Sequence, residues 1–506
     1  MKKALVVLIG VLMAMMFVAQ SYAETTVGGT IDARGRWREN NNDLNNDQYG
    51  SMALWQEKVN IWVDAKIAEG LKGYVELQTG NGASKGWFNW GTSTGDAAPN
   101  SLLYENDALG YMSVRYAYID FMIPSTPVGI KIGHFPVVLG HSIWADTGIW
   151  GSDGLLIYVV PIKELMIGLG TLKGYETNSN TDRTDADLYV LMANYTFIPK
   201  NTLGLNASYI LRAGARGQGK ALSNEYWSDL SAGGAYGDSG DVAAFNKINN
   251  LRMWNIMLTA DGAFDFGLGY KFEVDKQLGK LDETGYHERG AGGILDGDAD
   301  GLRAKGLALL LGVNYKIADI AKVGLDVAYG SGDKCGEFEE PATGSATGDR
   351  CKRTGNYFEG YLSFNDYSYT MIYEDIIGQK RAKGVRVGDT YTSGLTSADF
   401  GLYNTMYVKV GAGVTPLKDM SIDLDYYYLR AVQSYYRGQK KGLGSEVDLT
   451  FGYNIYKNLK WTFKAGYFLA GEHYEELAYD VNGTNTTDRV GDSNAWAFEQ
   501  KLSLKF

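Results

Sequence analysis

The 506-residue chain is poor in proline (8), cysteine (2) and histidine (4). It has no C-x-x-C-H, so it attaches no c-type haem itself. Beyond residues 4–20 no apolar run approaches 18 residues, so no helix is expected to span a membrane. An excess of basic charge is also missing: the formal net charge is −11, which argues against a nucleic-acid partner. What the chain has instead is 65 glycines and 36 tyrosines. Globular enzymes of this size usually carry more proline and fewer tyrosines.

The N-terminus reads as an export signal. Lys2 and Lys3 precede an apolar stretch from Ala4 to Gln20, and Ser21-Tyr22-Ala23 offers small residues for cleavage after Ala23. The expected organisation is a signal peptide over 1–23 and one mature domain over 24–506. Removing Lys2 and Lys3 takes the formal charge from −11 to −13. In an exported chain, Cys335 and Cys351 read as a disulfide that closes a loop, worth about 3 kcal/mol in the chain-entropy model.

From Val27 onward one pattern repeats. Val27, Gly29, Ile31, Ala33, Gly35 and Trp37 alternate with Gly28, Thr30, Asp32, Arg34, Arg36 and Arg38. Phe266 to Asp275, Gly306 to Tyr315 and Val447 to Asn454 alternate in the same way. A period of two puts the two sets on opposite faces of a strand. The polar face is small or charged, while the apolar face ends in Tyr, Trp or Phe. Lipid outside, water inside and aromatic girdles at the interfaces produce that pattern. Short joints, such as Glu69-Gly70, Pro199 to Asn201, Asn365-Asp366 and Tyr456 to Asn458, alternate with long Gly-, Asn- and Asp-rich stretches. Counting segments gives 20 strands, with the pair around Phe364 least defined. The predicted fold is an all-β, closed antiparallel transmembrane β-barrel of 18–20 strands. It must close, because hydrocarbon offers no partner to a free sheet edge. So many strands leave a lumen.

The last segment, Trp496-Ala497-Phe498-Glu499-Gln500-Lys501-Leu502-Ser503-Leu504-Lys505-Phe506, resembles the assembly signal of Gram-negative outer-membrane proteins. Gln500 interrupts its apolar face. Nearly the whole mature chain is similar to the large outer-membrane porins, the alginate-export-like group among them. That likeness rests most on Ala117-Tyr118-Ile119-Asp120-Phe121 followed by Ile130-Lys131-Ile132-Gly133-His134-Phe135, with His134 where that group often carries arginine. The resemblance implies an outer-membrane location, passive transport and homotrimeric assembly. It names no solute.

Parity and closure assign candidate pore-lining residues. Arg34, Arg36 and Arg38 should face inward beside Lys501 and Lys505, with Lys460 and Lys464 on the preceding strand. Glu273, Asp275 and Asp326 should face them across the lumen. Within Gly140 to Gly154, Trp144, Asp146, Trp150 and Asp153 mark a segment unusually apolar for a water-exposed loop. It fits a constriction folded into the lumen, a subunit interface or an aromatic rim at the lipid boundary.

His141, Ser142 and Asp146 lie close in sequence, but sequence neighbours do not make a catalytic triad, so no catalytic residue is assigned. Asp296 to Gly301 opens like a calcium loop. Its twelfth position is Leu307 where a bidentate Glu is needed, and a solvated acidic loop fits as well. No metal or cofactor is assigned. The strand pattern starts at Val27, which leaves no room for the plug of a Ton-dependent receptor. The expected function is passive diffusion of small hydrophilic solutes or ions, with outer-membrane lipid as the surrounding partner. A barrel sheathing an electron-carrying cytochrome and a loop-based adhesin are the alternatives.

Overall fold

The structure, a computed structural model, describes residues 24–40, 44, 52–79, 86–90, 112–149, 151–175, 186–212, 247–284, 299–332, 337–339, 350–352, 356–363, 369–373, 401–434, 440–475 and 493–506. Eighteen strands form the barrel wall: β1 (Glu24–Glu39), β2 (Met52–Ala68), β3 (Leu71–Thr79), β4 (Met112–Met122), β5 (Val128–Phe135), β6 (Ser152–Ile162), β7 (Leu165–Tyr175), β8 (Ala186–Ile198), β9 (Asn201–Arg212), β10 (Lys247–Ala263), β11 (Leu268–Thr284), β12 (Leu307–Ile317), β13 (Ala321–Gly330), β14 (Thr405–Leu417), β15 (Met420–Ala431), β16 (Gly442–Tyr456), β17 (Leu459–Ala470) and β18 (Ala495–Lys505). Each is antiparallel to the one before it. β18 returns to β1 with Arg34 opposite Lys501 and Trp37 opposite Phe498, so the wall has no free edge.

The alternation explains the two faces. Val27, Ile31, Leu169, Leu191, Leu205, Leu311, Val410 and Leu424 are exposed on the outside. Aromatic pairs gather toward the strand ends, such as Trp55 stacked on Trp90 and Phe264 on Phe266. Among the described residues no helix is long and apolar enough to cross a membrane. An edgeless sheet with an apolar outer band meets the bilayer's demand that every backbone N–H and C=O be paired internally.

The joints at one end are short. Glu69-Gly70 reverses the chain through the left-handed region, with Gly70 at φ 74°, a conformation that costs glycine nothing. At Gly133 (φ 125°) an added Cβ would lie 2.4 Å from the Ala117 carbonyl oxygen, so only glycine lets β5 approach β4 there.

The Asn365-Asp366 joint lies outside the described residues, but the pairing of its neighbours decides whether wall strands flank it. β13 pairs directly with β14, Ala321 opposite Val414 and Tyr329 opposite Met406, so residues 331–404 form one connection at the long-loop end. The wall therefore has 18 strands, within the expected 18–20 and two fewer than the count of segments. An Asn-Asp pair fits a turn inside any polar connection; a barrel turn also needs two flanking strands that pair with the wall. β11 also runs further than expected, pairing with β10 as far as Lys247 opposite Thr284.

Candidate functional site: a lumen crossed by two inward loops

The centre of the barrel holds chain from its own loops. The connection between β5 and β6 folds inward as a small hairpin, with Val138-Leu139 paired to Ala145-Asp146. Leu139, Ile143 and Trp144 on it are buried. Its far end reaches β11, six strands further round the wall, where the His141 backbone N–H donates to Glu273 Oε2 at 2.5 Å. Its near end is held by Arg115, whose guanidinium donates to the Gly148 carbonyl at 2.7 Å, the Ile149 carbonyl at 3.1 Å and Glu76 Oε1 at 2.7 Å. The loop is thus fixed from β3–β4 on one side and from β11 on the other.

Arg115 points inward because of a β-bulge. Glu76 pairs with Tyr116 and Leu77 with Val114, leaving Arg115 as the extra residue. A bulge re-aims a side chain against the local alternation.

Part of the 331–404 connection forms the second inward element. The Tyr361 hydroxyl donates to Asp275 Oδ2 at 2.9 Å. Gln277 pairs with the Leu362 peptide on both sides: Nε2 donates to its carbonyl at 2.6 Å and Oε1 accepts its N–H at 3.0 Å. Further along, Glu446 on β16 accepts three successive backbone N–H groups, from Met371 (2.8 Å), Ile372 (2.7 Å) and Tyr373 (2.9 Å). The two loops meet where the Trp144 and Tyr361 rings pack edge to face, centroids 6.5 Å apart. Glu273, Asp275 and Gln277, alternate residues of one strand, therefore anchor both loops at once.

Off the strands, burial pushes the His141 imidazole below its ordinary value, opposed by the charge of Asp261. Burial raises the Tyr361 phenol well above its own, helped by the charges of Asp275 and Glu273. The phenol thus stays a donor to Asp275.

Arg34, Arg36, Arg38, Lys460, Lys464, Lys501 and Lys505 lie on the inward parity of β1, β17 and β18. Glu499 shares that face and pairs with Arg34 (3.5 Å) and Arg36 (3.4 Å). Across the barrel, Asp326 is 3.1 Å from Lys271, and Glu273 and Asp275 are buried under the loops. On that side Asp326 is thus ion-paired and Glu273 and Asp275 are covered by the loops, while the β17–β1 wall keeps exposed ammonium groups at Lys460 and Lys464.

Trp144 is buried in the lumen and Asp146 is half-buried, its Oδ1 accepting the Gly148 N–H at 2.7 Å. Asp153 belongs to β6, 2.9 Å from His134 Nδ1, on the outward parity shared with Ile132. Trp150 and Cys335 lie outside the described residues, as do Asp296 to Asp298 of the acidic stretch. The disulfide remains an expectation. Ser142 follows His141 in the inward hairpin, but nothing joins the two into a catalytic pair. Arg115, Glu76, Gln277, Tyr361 and Glu446 were missed; the inward parity of Glu76, Gln277 and Glu446 was the one available signal.

A short helix, α1 (Glu472–Glu475), follows β17 and carries His473. Its ring is buried, with Nδ1 2.5 Å from the Lys440 carbonyl oxygen. Burial draws it down to about 4, the carbonyl opposing. The native form is the neutral one, so its stabilisation is complete above the ordinary histidine value near 6.5 and is lost as pH falls from there to 4. About 3 kcal/mol is at stake. In an NMR titration of the histidine rings, His473 should turn at pH about 4; a midpoint near 6.5 would remove this account.

No family model matches the chain, and no curated protein matches it in sequence. Solved structures do. Pseudomonas aeruginosa OccK2 (OpdF) in complex with glucuronate is 10% identical over 96% of this chain and 98% of its own, with a TM-score of 0.49. Acinetobacter baumannii OccAB2 is 12% identical over 96% and 98%, also at 0.49. Pseudomonas aeruginosa OccK8 (OprE) is 9% identical over 96% and 98%, at 0.48.

Proposed function

We propose that this protein is an outer-membrane diffusion channel for small hydrophilic solutes, with a preference for anions. The observation that carries this reading is the division of the lumen. Both inward loops anchor on β3–β4, β11 and β16, while the β17–β1 wall presents arginines and lysines to the interior. Solutes passing the constriction meet donors and positive charge on that side, and no energy source is needed.

Several finer points belong to the same reading. Residues 1–23 serve as a cleaved export signal and 24–506 as the barrel. Arg34, Arg36, Arg38, Lys460, Lys464, Lys501 and Lys505 line the path, and Trp144 and Asp146 belong to its narrowest part. Homotrimeric assembly and kinship with the alginate-export-like porins follow from the sequence resemblance alone. A cytochrome sheath fits less well, because Trp144, Tyr361 and Tyr373 fill the bore that a folded haem protein would need.

The test is reconstitution of the refolded chain in a planar bilayer under a salt gradient. Stable ohmic steps are expected, with a reversal potential on the anion side. Replacing Arg34, Arg36 and Arg38 together by glutamine should shift it toward cations. A protein that inserts and never conducts would overturn the channel, and an unchanged reversal potential would overturn the role of the arginines.

A further inference from the structure

Three cations stand side by side on the outer face of the wall, at its long-loop end. Arg252 on β10 lies opposite Lys280 on β11, and Lys280 lies opposite Arg303 on the short strand Ala299–Ala304. All three are exposed, while Leu251, Met253, Leu281, Leu302 and Ala304 beside them are buried on the inner side. Neighbouring strands are about 4.8 Å apart, so the row is about 10 Å wide. No hydrogen bond or ion pair joins any of the three side chains to another described residue.

The row marks the upper edge of the apolar band. Below Arg252, β10 turns Trp254, Ile256 and Leu258 outward, and Leu278 lies below Lys280. The stretch from Trp254 to Phe264 has the length a tilted strand needs to cross the hydrocarbon, about 9–11 residues. Below Arg303, Lys305 Nζ lies 3.2 Å from the centre of the exposed Tyr357 ring, and Lys276 Nζ donates to the Lys305 carbonyl at 2.5 Å. Glu359 is within electrostatic range of Lys276, but none of the three cations of the row is ion-paired with it. Cations just above an aromatic girdle stand at headgroup depth.

Elsewhere at the long-loop end an outward cation has its own carboxylate: Lys173 on β7 is 2.9 Å from Asp187 on β8. The flanks of the row offer none, being Leu211 on β9 and Tyr357. Like charges directly opposite one another destabilise a sheet, and an anion lying across them removes the repulsion. Guanidinium and ammonium donors suit phosphate oxygens, and the row is wider than one phosphate group. The apolar face beneath it is covered by lipid, so an anion at this depth is a lipid headgroup.

We propose that Arg252, Lys280 and Arg303 form an outward docking site for a membrane lipid whose headgroup carries two phosphate monoesters, its acyl chains lying along Trp254, Ile256 and Leu278. The site requires the outer-membrane location and is independent of the channel reading.

Native mass spectrometry of the detergent-folded full chain, titrated with defined lipids, reads the site directly. Diphosphoryl lipid A should bind roughly tenfold tighter than its monophosphoryl form, and tighter still than phosphatidylcholine. Its affinity should fall as salt is added. Replacing Arg252, Lys280 and Arg303 together by glutamine should weaken it by about tenfold or more. Arg430→Gln, which removes an exposed cation at the same end of β15, should not. Arg252→Lys combined with Arg303→Lys keeps the charge and should keep most of the affinity.

Equal binding of the three lipids by the unaltered chain, or unchanged affinity in the triple glutamine variant, would overturn the proposal. Displacement of the bound lipid by inorganic phosphate would also overturn it, making the row a site for the free anion. A triple variant that alters the oligomeric mass and not the lipid affinity would make the row a contact between copies instead. Bilayer recordings on the same proteins keep the two readings apart. Selective lipid binding without conduction removes the channel and leaves the site; conduction without selective lipid binding removes the site alone.

Discussion

Replacing residues 138–146 by a short Gly-Ser linker should raise single-channel conductance roughly twofold or more. The hairpin removed carries Leu139, Ile143 and Trp144, all buried in the lumen, and ends on Glu273. The barrel should still fold, because its strand pairings do not involve these residues: β5 and β6 pair with each other from Val128 opposite Val159 to Phe135 opposite Ser152. Retained heat-modifiable migration on gels would verify folding. Arg115→Ala provides a second route to the same effect, since it removes the donor to Gly148 and Ile149 without shortening the chain. If neither variant changes the conductance, the β5–β6 loop does not set the width of the path.

Glu446→Ala should release the second inward element. Each N–H to carboxylate bond contributes about 1.5–3 kcal/mol net, and three on one carboxylate are not additive, so about 3–5 kcal/mol is a fair total. At about 1.4 kcal/mol per factor of ten, the open population should rise by roughly two to three and a half orders of magnitude. Hydrogen exchange of the peptide covering 369–373 reads this directly, because the Met371, Ile372 and Tyr373 amides are the donors concerned. Glu446→Gln, which keeps one acceptor oxygen, should fall between the two. Unchanged protection in the alanine variant would mean that packing against Gly466 and Phe468, and not the carboxylate, holds the segment.

The two loops differ in how visible they were in the sequence. The β5–β6 segment stood out because Ile143, Trp144 and Ile149 are too apolar to be left in water, and one of its three readings was a constriction in the lumen. Nothing comparable marked Met371 to Tyr373. Their anchor, Glu446, lies 73–75 residues away in sequence, and its acceptors are matched by backbone N–H groups that every residue carries. The basic wall was legible from parity, yet the partition of its charges was not. Glu499 between Arg34 and Arg36, and Lys271 against Asp326, depend on which strand ends up beside which.

By itself, then, the sequence determined the closed antiparallel barrel, its apolar outside and the inward set on each strand. A period of two is a local property, and a bilayer allows one solution for a sheet that obeys it: closure. Only the tertiary structure decided the number of strands, the aim of Arg115 and the anchoring of both loops. A turn is a barrel turn only when its flanks pair with the wall, and β13 pairs past residues 331–404 straight to β14. A bulge inverts parity without a sequence mark, as at Arg115. The constriction depends on contacts such as His141 to Glu273, 132 residues apart, which exist only once the closed wall brings the two sides of the lumen face to face.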